Sequence, residues 1–134
     1  MINIHAIDHI VLRTQNLEAM IGFYHEVLGC VVERQLDPAI GLTQLRAGQA
    51  MIDLVSCDGV IGRKAGGPPD PEHRNMDHYC LQLQEFDEAA IRAHLAHHGV
   101  RAGPLESRYG AQGDGPSLYI QDPDGNTIEL KGLL

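Results

Sequence analysis

The chain states one pattern twice. Asp8-His9 followed by Leu12 returns as Asp77-His78 followed by Leu81, and Met51-Ile52-Asp53-Leu54 returns as Thr127-Ile128-Glu129-Leu130. Between these markers each half carries apolar residues at helical spacing that end at a glycine. They are Leu17, Met20, Ile21, Tyr24, Val27 and Leu28 before Gly29, then Phe86, Ala90, Ile91 and Leu95 before Gly99. A chain built this way is constrained to fold as two copies of one supersecondary unit.

The first copy predicts a strand at 6–13, a cap at Asn16, a helix over 17–28, and strands at about 31–36, 42–47 and 51–56 broken by Asp37-Pro38 and Gly48. This is a βαβββ module over 1–57. Residues 58–75 (DGVIGRKAGGPPDPEHRN) have neither period and predict a linker loop, either a crossover or a flexible cover over a ligand. The second βαβββ module occupies 76–134, with strands at about 101–107, 117–121 and 127–131. Its 109–116 stretch, which holds Tyr109, reads as a glycine-rich connection beside Arg108. Asp122-Pro123-Asp124-Gly125 is turn chemistry that launches the last strand.

With 134 residues, 43% of them hydrophobic, the chain forms a single domain of paired modules. Tryptophan is absent and the aromatics are 4 Tyr and 2 Phe, so nothing offers a base-stacking platform. A net charge of −8 makes nucleic acid and anionic membrane surfaces poor partners. Cys30, Cys57 and Cys80 are odd in number and form no CxxC pair, which fits reduced thiols in a cytoplasmic protein. No basic leader precedes an apolar run, and no stretch reaches the roughly 20 apolar residues of a membrane span.

Each module opens on a strand bearing a histidine and closes on one bearing a carboxylate: His9 with Asp53, His78 with Glu129. By period two, each polar residue faces away from its apolar neighbours, which are Ile10/Leu12, Ile52/Leu54, Tyr79/Leu81 and Ile128/Leu130. If the apolar faces carry the helices, the other faces line a shared concave surface. Two neutral imidazoles and two carboxylates there suit a divalent ion, with Zn, Ni, Co, Mn or Fe(II) all admissible. Taken singly, a strand histidine is a hydrogen-bonded structural residue and a strand carboxylate faces water; recurrence in both copies favours ligation. His94, His97 and His98 read as a solvated helix end, and Asp8 and Asp77 as local pairing or capping groups.

The segments DHIVL, FY and LG on the first helix, DHYCL and DPDGNTIEL together resemble the vicinal oxygen chelate superfamily, which holds glyoxalases, bleomycin resistance proteins and ring-cleavage dioxygenases. The resemblance implies an α+β fold of two tandem βαβββ modules in a cup-shaped mixed sheet with outer helices. It also implies a homodimer with a divalent metal, and places His9, Asp53, His78 and Glu129 on its ligand positions. The ligand set is most similar to that of glyoxalase I. On that likeness Arg13 and Arg74 match arginines that hold glutathione carboxylates, and by period two both would share the ligand face, roughly 13 Å along their strands at about 3.3 Å per residue. Each could instead pair with a surface carboxylate. Asp53 replaces a glutamate and Cys57 an asparagine of that subgroup; Cys57 and Tyr109 complete the candidate substrate contacts.

The activity implied is a metal-dependent lyase or isomerase acting on a small molecule with vicinal oxygens, with glutathione as a candidate co-substrate. The metal would act as a Lewis acid steadying an enediolate while Glu129 moves a proton. The alternatives are a fosfomycin-type thiol transferase, an extradiol dioxygenase with Fe(II), and a metal-free drug-binding protein; the four polar positions speak against the last.

Overall fold

The computed structural model describes residues 1–134. It separates into two compact units, Met1–Asp70 and Pro71–Leu134. The expected tandem βαβββ modules are present. The first unit runs β1 (His9–Thr14), α1 (Leu17–Gly22), a π-helical turn (Phe23–Val27), β2 (Val31–Gln35), β3 (Leu42–Ala47), β4 (Ala50–Ser56) and the short α2 (Val60–Arg63). The second runs β5 (His78–Gln82), α3 (Glu88–His97), β6 (Glu106–Gly110), β7 (Gly113–Gln121) and β8 (Thr127–Lys131).

Both sheets have one topology: β1-β4-β3-β2 and β5-β8-β7-β6, with the opening strand parallel to the closing one and the remaining pairs antiparallel. The alternation seen in the sequence explains the layers. Ile52 and Leu54 in β4, and Ile128 and Leu130 in β8, are buried on one face of their sheets. Full burial of such a side chain is worth about 1.5–3 kcal/mol. Met20, Phe23 and Tyr24 join the first core, where α1 packs on β4, and Leu95, Leu118 and Ile120 join the second. The carboxylate faces of β4 and β8 are buried as well, since Asp53, Val55, Glu129 and Lys131 are all enclosed. No helix is long and apolar enough to cross a membrane.

The helical runs that open with α1 and with α3 each stop where a glycine adopts positive φ, at Gly29 (72°) and Gly99 (70°). Asn16 occupies the N-cap without a side-chain capping bond, whereas Asp87 caps α3 by accepting from Ala90 N–H at 3.0 Å. The first helix departs from the expected regular α-helix: it widens over Phe23–Val27, with Leu28 N–H donating to Phe23 O.

The structure corrects the reading in four further places. The 58–75 stretch contains a helical turn at Val60–Arg63. Arg74 lies before β5, so strand alternation does not set its direction. The strand expected at 101–107 sits at Glu106–Gly110, so Arg108 and Tyr109 are strand residues and not loop residues. The supposed connection over 109–116 is a tight hairpin, with Tyr109 opposite Asp114 and Gly110 opposite Gly113. Of its glycines, Gly113 serves the turn with φ 88°, whereas Gly110 and Gly115 serve close approach. A Cβ on Gly110 would lie 3.3 Å from Lys131 Cε, and one on Gly115 would collide with Gly132 O and lie 2.9 Å from Lys131 Nζ.

The turn before β8 is built as its sequence demands. Asp122 Oδ1 accepts from the backbone N–H groups of Asp124 (3.0 Å) and Asn126 (2.9 Å), and its Oδ2 accepts from Asn126 Nδ2 at 2.8 Å. Gly125 takes φ 78°, a region that only glycine enters at no steric cost.

Candidate functional site

The two units place their histidine and carboxylate by the same register. In the first, His9, Val11 and Arg13 alternate along β1, and the parallel ladder sets Val11 against Asp53. In the second, Cys80 stands against Glu129. The carboxylate therefore lies opposite the residue two beyond the histidine in both, and all four side chains occupy the faces expected from alternation.

In the first unit, His9 Nδ1 lies 2.6 Å from Asp8 Oδ1. That hydrogen bond above all, with the charge of Asp53 adding to it, raises the imidazole above its ordinary pKa. Asp53 is 4% exposed. Gln44, its antiparallel neighbour on β3, donates Nε2–H to Asp53 Oδ2 at 3.0 Å, and Oδ1 is buried with no hydrogen-bond partner.

In the second unit, His78 Nδ1 lies 2.6 Å from Asp77 Oδ2, and His78 Nε2 lies 3.3 Å from Glu129 Oε2. Glu129 is 6% exposed, and its Oε1 is buried without a partner. Tyr119 pairs with Glu129 across β7–β8 and packs edge-on against the His78 ring at 5.2 Å. The Arg108 guanidinium covers the Tyr119 ring at 4.2 Å and is anchored by Ser117 Oγ (2.7 Å) and Glu106 Oε2 (2.9 Å). Arg108, Tyr119 and His78 thus form one stack. Lys131 is also enclosed, donating Nζ–H to Gly113 O at 2.9 Å.

The chemistry of these pairs fits a divalent ion. A charge-assisted hydrogen bond would close to about 2.7–2.9 Å, so at 3.3 Å His78 and Glu129 are poorly bonded to each other. Two donors held by one ion at about 2.0–2.2 Å in neighbouring coordination positions stand roughly 3 Å apart, close to that spacing. The orphaned oxygens of Asp53 and Glu129 are costly unless something positive meets them. Nowhere do three or more His, Cys, Asp or Glu side chains gather in metal-holding geometry; the pair brought together is His78 and Glu129 in the second unit.

The remaining candidates have other engagements. Arg13 donates to Gly62 O from Nε (3.2 Å) and Nη2 (3.0 Å), and to Gly66 O (2.6 Å). Arg74 donates to Asp124 O (2.8 Å) and Asn126 Oδ1 (3.2 Å), bracing the turn before β8. Cys57 is a buried thiol just beyond β4 whose N–H bonds to Thr14 O. Tyr109 is 82% exposed, and the β6–β7–β8 register puts it on the sheet face opposite Glu129, whereas Arg108 shares that residue's face. Tyr119, Gln44 and Cys80 were missed from sequence. Counting by two from Glu129 reaches Lys131; these three need the strand pairing.

The sequence model of the Glyoxalase/Bleomycin resistance protein/Dioxygenase superfamily matches residues 6–130. The chain is 33% identical over 129 residues to virulence protein STM3117 of Salmonella typhimurium, covering 95% of this chain and 83% of that one. It is 26% identical over 127 residues to the glutathione transferase FosA of Serratia marcescens, covering 95% and 80% respectively. Among solved structures, an integron cassette protein from the mobile metagenome of V. cholerae superposes with a TM-score of 0.75 at 26% identity, covering 100% of this chain and 99% of that one.

Proposed function

We propose, for a chain that belongs to the glyoxalase/bleomycin resistance protein/dioxygenase superfamily, a divalent-metal-dependent lyase or isomerase of glyoxalase type. Its substrate class is a small molecule with two neighbouring oxygens, and glutathione is the proposed co-substrate. The observation that carries the reading is the buried Glu129, one oxygen 3.3 Å from His78 Nε2 and the other without a partner.

His9, Asp53, His78 and Glu129 are the residues proposed as metal ligands. A bound divalent ion supplies Lewis acidity toward the substrate oxygens. Glu129 is the proposed proton carrier between adjacent carbons. It is enclosed, and its unpartnered Oε1 leaves a lone pair free to take a proton. Asp53 is one methylene shorter and tied to Gln44, so it contributes charge and coordination only. The Arg108–Tyr119 stack packs against the His78 ring from one side. A homodimer of this chain is part of the proposal.

A second reading is metal-dependent addition of glutathione to a small electrophile, favoured by the 26% identity to FosA over nearly the whole chain. Both readings are tested on protein loaded in turn with Ni, Co, Zn and Mn. Turnover of the methylglyoxal–glutathione adduct supports the first. Consumption of glutathione with an epoxide and no isomerase activity moves the assignment to the second. No turnover in either assay removes both.

A further inference from the structure

Both histidines are held in the same way by the residue before them. Asp8 Oδ1 lies 2.6 Å from His9 Nδ1, and Asp77 Oδ2 lies 2.6 Å from His78 Nδ1. An ionised carboxylate can only accept, so in each pair the proton sits on Nδ1 and the neutral imidazole presents Nε2 as a bare lone pair. In the second unit that lone pair is the atom 3.3 Å from Glu129 Oε2.

Stability does not explain the pairs. The Asp8 and Asp77 side chains are 91% and 95% exposed, and ion pairs in water contribute little to folding. A single contact between neighbouring residues is an ordinary accident. Here the same ring atom is held at the same distance, at the start of the matching strand, in both copies of the module. The duplicated feature is the orientation of Nε2. Histidines that ligate metals characteristically donate their other ring N–H to such a partner, which fixes the tautomer and raises ligand basicity.

We infer that Asp8 and Asp77 are positioning residues, each locking its histidine as the Nδ1–H tautomer with Nε2 aimed for coordination. The inference rests on the metal-dependent reading above. It extends the site outward by one shell in each unit and assigns a role to two aspartates that sequence alone leaves as local caps or pairs.

The variants are Asp8→Asn, Asp77→Asn and the double variant, with Asp77→Glu as the conservative control and Asp58→Asn, another exposed aspartate, as the neutral one. An asparagine amide can donate to Nδ1 and so favours the opposite tautomer. Long-range 1H–15N spectra of the metal-free protein, assigned by the signals lost in His9→Ala and His78→Ala, report the tautomer directly. Competition with a chromophoric chelator reports the affinity for Zn and Ni. The expected result is Nδ1–H in the wild type and loss of that preference in each asparagine variant. Metal affinity should fall roughly tenfold to a hundredfold per site, with Asp77→Glu retaining most of it and Asp58→Asn unchanged. Metal affinity within twofold of wild type in both asparagine variants, with the wild type binding normally, overturns the inference and leaves the functional reading standing. A wild type that binds neither ion overturns both.

Discussion

Cys80 stands directly across the parallel β5–β8 ladder from Glu129. The residue is exposed, so reagents reach it, and its thiol is only partly desolvated. That desolvation first, and the Glu129 charge second, raise the thiol to about 11, while Lys131 draws it back. In metal-free protein, iodoacetamide labelling of Cys80 should rise with pH near 11 and not near 9. Glu129→Gln should move the profile down and Lys131→Met should move it up, measured by mass spectrometry of the labelled peptide. The stability sign follows from the raised value. The contribution is fully present below the ordinary thiol value near 9 and is lost as pH climbs through about 11.

Glu129 carries a buried charge with one oxygen unpartnered, which is costly in the metal-free protein. Glu129→Gln keeps the shape and removes the charge. Its unfolding free energy in urea should equal or exceed that of the wild type, by up to about 1 kcal/mol. Turnover in the loaded protein should fall by about 10²–10⁴. A variant that loses stability and keeps activity would return Glu129 to a purely structural role.

Arg13 reaches across 49 positions of sequence to hold Gly62 O, and further to Gly66 O. Hydrogen bonds from a charged donor are worth about 1.5–3 kcal/mol. Arg13→Met should therefore lower the unfolding free energy by about 1–3 kcal/mol and free the segment around Val60–Arg63 to exchange amide protons faster. If this arginine instead holds a substrate carboxylate, the same variant will raise KM and leave stability untouched.

Gly115 meets the backbone of Gly132 and the ammonium of Lys131. Gly115→Ala should cost about 1–3 kcal/mol in urea denaturation, the usual range for overpacking. Gly67→Ala, where a Cβ meets nothing within 4 Å, should cost far less.

The sequence by itself determined the repeated βαβββ order, the glycine stops at Gly29 and Gly99, the turn before β8, and two strands to the residue, Leu42–Ala47 and Thr127–Lys131. It also determined that His9, Asp53, His78 and Glu129 face away from Ile10, Ile52, Tyr79 and Ile128. These are local properties: alternation by two, helical period and backbone φ are set by near neighbours along the chain. The tertiary structure decided what depends on distant partners. Ladder register brought Glu129 to His78 and put Arg108, not Tyr109, on the site's face. The neighbouring strands decided how deeply Asp53 and Glu129 are enclosed, and the close approach of Lys131 turned a glycine-rich stretch that reads as a loop into a hairpin. Hydrogen bonding to far carbonyls gave Arg13 and Arg74 their partners. No local pattern encodes such pairings, because they arise only when segments remote in sequence are brought within a few ångströms of one another.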